Sequence, residues 1–324
     1  MAMDGEHATL AQREAPAPEP GPRQVLLRVR AAALNRGEFI AGHGLHGSGG
    51  AAKAIGMEAA GEVLACGAEV SLLRPGDRVM GRCPGAFAEQ ALMDEREAMP
   101  VPAGLAWEAA ASIPLTFLVV HDMLLAQGRL QAGQWLLVAG VSSGVGVAAL
   151  QTARALGARV IGSSGSADKL ARLATLGLDL GLPTPDAGFH AAVMQATGGQ
   201  GVNLVVNAVG GSVFAACLRT LAFEGRLATV GYVDGVLEAP LDLEALHAKR
   251  LTLFGVSNKL RTPAQRASGL ADFKARLLPL IADGRLAPVV DRVFAFEQLA
   301  DAKAHMQANR HLGKIVLAGS STPP

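Results

Sequence analysis

Glycines and serines spaced as an anion-binding turn requires gather in one stretch, QWLLVAGVSSGVGVAALQTARALGARVIGSS at 134–164. Gly140, Gly144 and Gly146 stand where an apolar run gives way to a segment of helical period. Glycine there lets the backbone reverse tightly and lets a pyrophosphate approach the first amides of a helix, Gly144 and Val145 among them. Ser142 and Ser143 add hydroxyl donors to the same turn. About 20 residues beyond it, NAD-binding versions carry a carboxylate for the ribose 2′-hydroxyl. Ser164 and Gly165 stand here instead, followed by Ser166 and Lys169. Small donors and a lysine suit a 2′-phosphate, which a carboxylate would repel, so NADPH is expected over NADH. Lys169 alone also reads as a solvated helix lysine, and the missing acid carries more weight.

These residues need a strand, a helix and a second strand to position them. The run 135–139 is apolar throughout, as a parallel strand covered on both faces is. Val147, Ala148, Leu150, Ala153 and Leu156 follow a helical period that stops at Gly157. A second strand begins at 159–161. Further on, helices at 166–176, 189–197 and 214–221 alternate with strands at 203–209, 225–230 and 250–256, which implies a parallel sheet with helices on both faces.

The chain before this stretch reads differently. A proline-rich, extended lead-in over 1–22 precedes a strand at 25–33, closed by Asn35. A glycine-rich loop at 41–56 holds His43 and His46, and strands at 57–64, 78–81 and 85–92 follow, with the turn RPGD between the first two. Short strands at close spacing suggest a β-barrel-like domain. Helices at 107–113 and 116–126, separated by Pro114, lead into the glycine turn. After a helix at 264–282, a strand at 288–296 and a helix at 298–307, the closing strand at 314–318 is expected to return to the first domain.

Length and composition agree with two domains and a large core: 324 residues, 50% hydrophobic and 18% charged. A net charge of +1 gives no electrostatic footprint for nucleic acid. No apolar run is long enough to span a membrane and the first residues do not resemble a secretion signal, so a cytoplasmic protein is expected. Cys66, Cys83 and Cys217 read as free thiols.

Asn35, GMEAAGEV at 56–63, RPGDRVMG at 74–81, GAFAEQ at 85–90, the glycine turn, NAVGG at 207–211, GRLATVG at 225–231 and HLGKIVL at 311–317 form a set. Together they resemble the medium-chain dehydrogenase/reductase superfamily over almost the whole length, and within it the zinc-independent quinone oxidoreductase and zeta-crystallin group. The resemblance implies an α/β architecture. A GroES-like, β-barrel-type catalytic domain would span 1–116 and 262–324, and a Rossmann doubly wound parallel sheet binding NADPH would span 117–261. It also implies cofactor contacts at Asn207, Gly231, Phe254, Val256 and Asn258, a substrate cleft between domains, and a homodimer by edge pairing near 251–256. Arg310 stands where some relatives offer an arginine to the 2′-phosphate, and reads equally well as a solvated arginine.

Zinc-dependent relatives carry a Cys after the first strand and a His in a GHE motif. ALNRGEFI has no Cys, Met57 replaces the His, and Cys83 stands alone where a four-cysteine lobe would begin, so no metal is expected. Without a Lewis acid, hydride transfer to a quinone or an activated C=C is favoured over alcohol oxidation. The chain departs from the quinone reductases in several places. Phe39 and Ile40 replace a tyrosine, Ser143 replaces the middle glycine of the turn, Val119 followed by His121 replaces a threonine, and most of the usual first hairpin is lacking. If Ser143 sits without strain, its hydroxyl is expected to touch the pyrophosphate.

The catalytic candidates are Asn35 and Tyr232. Asn35 reads as a donor to substrate or nicotinamide ribose, or as a turn residue. Tyr232, after Gly231 at a strand end, reads as a nicotinamide-side contact. Glu58 reads as part of a buried network before a catalytic acid. His43, His46 and His121 titrate near neutrality but also read as loop or surface histidines. No proton donor stands out. The expected function is an NADPH-dependent reductase of a quinone or an α,β-unsaturated carbonyl. A stand-alone enoyl-thioester reductase related to polyketide synthase reductase domains, or a low-turnover NADPH-binding protein, are the alternatives.

Overall fold

A computed structural model of the chain describes residues 2–4, 7–39, 54–183 and 188–319. Ile40, His43 and His46 lie outside the described residues. The chain separates into two units, Met1–Leu115 with Lys259–Ala282 and Pro288–Pro324, and Thr116–Asn258 with Asp283–Ala287.

The first unit opens with a short antiparallel pair, β1 (Ala2–Asp4) and β2 (His7–Thr9), where an extended lead-in is expected. β3 (Gln24–Ala33) then runs for ten residues. Val25, Leu27 and Val29 are buried while Arg28 is exposed, the alternation of a strand with one wet face. β4 (Glu58–Cys66), β5 (Arg78–Arg82), β6 (Gln90–Asp94) and β7 (Ala98–Pro100) complete this part of the sheet. The strand expected over 85–92 is a correction. Pro84 and Gly85, with φ +84° at the glycine, turn the chain first, and pairing resumes only at Gln90. α1 (Trp107–Ala111) and α2 (Pro114–His121) follow. Pro114 starts α2, where its missing N–H has no partner to lose.

In the second unit β8 (Trp135–Ala139), α3 (Gly144–Ala155), β9 (Arg159–Ser163), α4 (Ala167–Ala174), β10 (Leu180–Leu182), α5 (His190–Ala196), β11 (Val202–Asn207), α6 (Gly211–Arg219), β12 (Leu221–Thr229), α7 (Leu243–Ala248) and β13 (Thr252–Gly255) follow in order. The six strands lie in the order β10-β9-β8-β11-β12-β13, all parallel. Consecutive residues of β8, β9 and β11 are buried, so both faces of the sheet are covered. Strand order reverses between β8 and β11, the point at which doubly wound sheets open a crevice.

The chain then returns to the first unit. The single helix expected over 264–282 is instead α8 (Pro263–Ser268), α9 (Leu270–Arg276) and α10 (Leu278–Ala282). Pro279 removes an amide the helix would need, and Gly269 supplies the other break. β14 (Val290–Ala295), α11 (Leu299–Gln307) and β15 (Lys314–Ala318) close the chain. β15 pairs antiparallel with β3, Val316 opposite Ala33, so the last strand joins the first unit's sheet as expected. Among the described residues no helix is long and apolar enough to cross a membrane.

Candidate functional site

The parallel strands of the second unit end level with one another. Ala139 pairs with Ser163 on one side and Asn207 on the other, Asn207 with Thr229, and Thr229 with Gly255. The glycine turn, Ser164 and Gly165, Gly231 and Tyr232, and Val256 to Asn258 all begin within a few residues of that row. Asn207 is in it, and Phe254 is the last but one residue of β13. Candidates scattered over more than a hundred positions thus share one edge of one sheet.

The turn itself is tightly built. Gly140 has φ +83°, and its amide and that of Val141 both donate to the Ser163 carbonyl, at 3.1 and 3.0 Å. Val141 packs over Gly162, where a Cβ would lie 2.7 Å from its side chain. A Cβ on Gly146 would lie 2.5 Å from the Gly140 carbonyl oxygen, so the helix can start this close to the strand only with glycine there. Ser143 has extended backbone, φ −71° and ψ 164°, and is unstrained. Its Oγ accepts from the Gly146 amide at 3.1 Å and donates to the Gly140 carbonyl at 2.9 Å. The hydroxyl proton expected to touch a pyrophosphate is spent inside the turn, so Ser143 acts as the cap of α3. The amides of Gly144 and Val145 meet no acceptor among the described residues, at the N-terminus of a helix of 12 residues. A glycine-walled turn with free amides fits a pyrophosphate.

At the tip of β9, Ser164 is buried, its Oγ lies 3.1 Å from Ser142 Oγ, and it accepts from the Ser166 amide at 3.3 Å. Ser166 caps α4 by accepting from the Lys169 amide at 3.4 Å. Gly165 is exposed, with nothing within 4 Å of the position a Cβ would take. The nearest carboxylate in sequence is Asp168, exposed in the first turn of α4.

Asn207 is a shaping residue. Its Oδ1 accepts from the Val209 and Gly210 amides, each at 3.0 Å, and its Nδ2 donates to the Gly210 carbonyl at 2.9 Å. Asp234 accepts from the Ser212 and Val236 amides at 2.9 Å and occupies the start of α6. Tyr232 is 41% exposed, Phe254 half-buried and Val256 buried. His121 is buried at the end of α2. Arg310, exposed after α11, belongs to the first unit.

The first unit holds a buried charge cluster whose two further members, Glu38 and Lys314, carry no signal in local pattern. Lys314 Nζ donates to Glu58 Oε1 and Asn35 Oδ1 at 2.8 Å and to the Leu34 carbonyl at 2.9 Å. Asn35 Nδ2 donates to Glu58 Oε1 at 2.9 Å, and the Asn35 amide to Glu38 Oε2 at 3.0 Å. Glu58 Oε2 accepts from the Leu115 amide at 2.8 Å. The Asn35 carboxamide is thus engaged within the network at both its oxygen and its nitrogen. Burial pushes the Glu38 carboxyl up to about 8, against its bond from the Asn35 amide and the attraction of Lys314. Among the described residues, no group of three or more His, Cys, Asp or Glu is placed to hold a metal.

Two family models match the chain: an alcohol dehydrogenase GroES-like domain over residues 21–103 and a zinc-binding dehydrogenase over residues 144–273. A phenolphthiocerol/phthiocerol polyketide synthase protein of Mycobacterium tuberculosis is 32% identical over 91% of this chain and 13% of its own length. The chain spans 8% to 14% of the polyketide synthases it matches. Quinone oxidoreductase-like protein 2 of Bos taurus is 30% identical over 81% of this chain and 75% of its own. Among solved structures, mycobacterial Rv1454c complexed with NADPH superposes with a TM-score of 0.84 at 28% identity, covering 94% of each chain. An NAD-dependent alcohol dehydrogenase superposes with 0.81 at 31% identity, again over 94% of each. The chain belongs to the medium-chain dehydrogenase/reductase superfamily, a family of oxidoreductases, with the parallel dinucleotide-type sheet and GroES-like domain of that family.

Proposed function

We propose that the chain is an NADPH-dependent, zinc-independent reductase that delivers hydride to a quinone or an α,β-unsaturated carbonyl compound. The observation that carries the reading is the tip of β9. Ser164 and Ser166 offer hydroxyls there and Gly165 an amide, with Lys169 one turn on and no carboxylate before Asp168. Donors of this kind suit a 2′-phosphate, and the amides of Gly144 and Val145 suit the pyrophosphate. The nicotinamide supplies the hydride when bound; the chain supplies binding and orientation. Lys314 supports the zinc-independent part, because an ammonium already neutralises Glu58, which directly follows Met57, the residue standing where zinc-dependent relatives carry the His of the GHE motif. A homodimer is part of the reading. β13 is an edge strand, and Phe223, Leu237 and Leu243 lie exposed in the same unit.

An enoyl-thioester acceptor is the second reading, favoured by the similarity to polyketide synthases over nine-tenths of the chain. The test is oxidation of NADPH and of NADH, followed by loss of nicotinamide absorbance, against quinones, enones and enoyl thioesters. Turnover with NADPH and a quinone or enone is the expected result. Turnover confined to enoyl thioesters establishes the second reading, and tight NADPH binding without turnover on any acceptor leaves a cofactor-binding protein. Stoichiometric zinc required for turnover would overturn the metal-free assignment.

A further inference from the structure

We propose that Asp234 is a positioning residue for the nicotinamide end of the cofactor, because it latches the loop that carries Tyr232 onto the start of α6. The proposal rests on the reading that the nicotinamide meets the row of strand ends at Tyr232. Packing does little to hold this loop, since Tyr232, Val233, Val236 and Leu237 are all exposed. A surface segment with few buried apolar contacts opens easily unless polar bonds fix it. Those bonds converge on Asp234, which is half-buried. One carboxylate oxygen accepts from the Ser212 amide at 2.9 Å and from the Ser212 hydroxyl, and the other accepts from the Val236 amide at 2.9 Å. Bonds to a carboxylate are the stronger, charge-assisted class, and a carboxylate only accepts, so none of the three can reverse.

Backbone bonds run beside the latch. The Asp234 amide donates to the Val209 carbonyl at 3.1 Å and the Gly211 amide to the Val236 carbonyl at 2.9 Å. Gly210 and Gly211 make room for the loop. A Cβ on Gly210, whose φ is +136°, would collide with Asp234 Oδ1. One on Gly211 would lie 2.7 Å from Val236 Cγ1 and 2.8 Å from the Val236 and Glu238 carbonyl oxygens. Asn207 fixes the same turn from the strand side, accepting from the Val209 and Gly210 amides. A line of fixed contacts therefore runs from the end of β11 through the turn to Asp234, two residues from Tyr232.

The test compares each cofactor with its own adenosine half, NADPH with 2′,5′-ADP and NADH with 5′-ADP, so that it holds for either nucleotide. Wild type, Asp234→Ala, Gly211→Ala and Tyr232→Ala are titrated by calorimetry, and the emission of the bound reduced nicotinamide is read alongside. Asp234→Ala removes the latch, whereas Gly211→Ala keeps the carboxylate and wedges the loop away from α6. Each should weaken the preferred cofactor about tenfold, the scale of one lost hydrogen bond to a charged group, and its adenosine half by no more than about twofold. Each should also shift the nicotinamide emission in the sense that Tyr232→Ala does. Equal losses for cofactor and adenosine half would mean that Asp234 only supports the fold. Loss in Tyr232→Ala without loss in the other two would mean that the loop needs no latch. Either result overturns the proposal while the reading of Tyr232 stands. A Tyr232→Ala variant that binds the cofactor and emits as wild type does overturns that reading and the proposal with it.

Discussion

Lys314 brings one positive charge into the interior of the first unit, where Glu58 is fully buried and Glu38 nearly so. Breaking such a pair leaves an uncompensated buried charge, so Lys314→Met should cost about 3–5 kcal/mol in urea unfolding. Glu38 behaves differently, since its carboxyl moves from an ordinary 4.5 to about 8 on folding. Between those values the folded unit holds a proton that the unfolded chain has released, so this group lowers stability as pH rises through the window. Glu38→Gln should remove that contribution. Its Tm relative to the parent is expected to climb from acid pH to about 8, where thermal unfolding across the range would show a constant difference if Glu38 ionised normally. At the β9 tip, Lys169→Ala should weaken NADPH about tenfold and NADH little, the scale of a charge-assisted hydrogen bond; fluorescence titration with each cofactor checks it, and equal losses count against a 2′-phosphate contact. Asn35 was visible in the sequence as a polar residue closing a strand. Its commitment to Lys314 was not, because that bond joins positions 279 apart and local pattern reaches only a few residues.

The βαβ element was legible almost to the residue, since a parallel strand buried on both faces leaves an unbroken apolar run and Gly157 marks the end of the helix. What escaped was the use of the atoms inside it. Ser143 looks like a ligand donor in one dimension, and only the folded turn shows its proton directed to Gly140. Elsewhere the misses have a backbone cause: Pro84 and Gly85 delay β6, and Pro279 cuts the expected long helix. Gly162 looks like any strand glycine, yet it gives Val141 its seat. Gly162→Val should therefore force the turn away from β9, costing about 1–3 kcal/mol as overpacking does. Urea unfolding should register the loss, and affinity for either nicotinamide cofactor should fall with it, because the turn and the strand tip would shift apart.

At the scale of the molecule, β13 pairs with no further strand among the described residues, an edge which a second copy can extend. Light scattering is expected to give twice the chain mass, and Gly255→Pro, which removes an amide on the side of β13 facing away from β12 at a position with open space around it, is expected to give the single-chain mass. A variant that remains a dimer would move the interface elsewhere. The pairing of β15 with β3 has a different kind of consequence, in time. The six strands of the second unit among the described residues lie within one continuous stretch of chain, whereas the first unit's sheet joins segments that come before and after that stretch. On the ribosome Glu58 and Asn35 emerge long before Lys314, and during that interval their site has no cation. The second unit can complete its sheet while the first still waits. Arrival of β15 then closes the first sheet and neutralises its carboxylate in one event, so Glu58 waits for a cation made 256 positions after it.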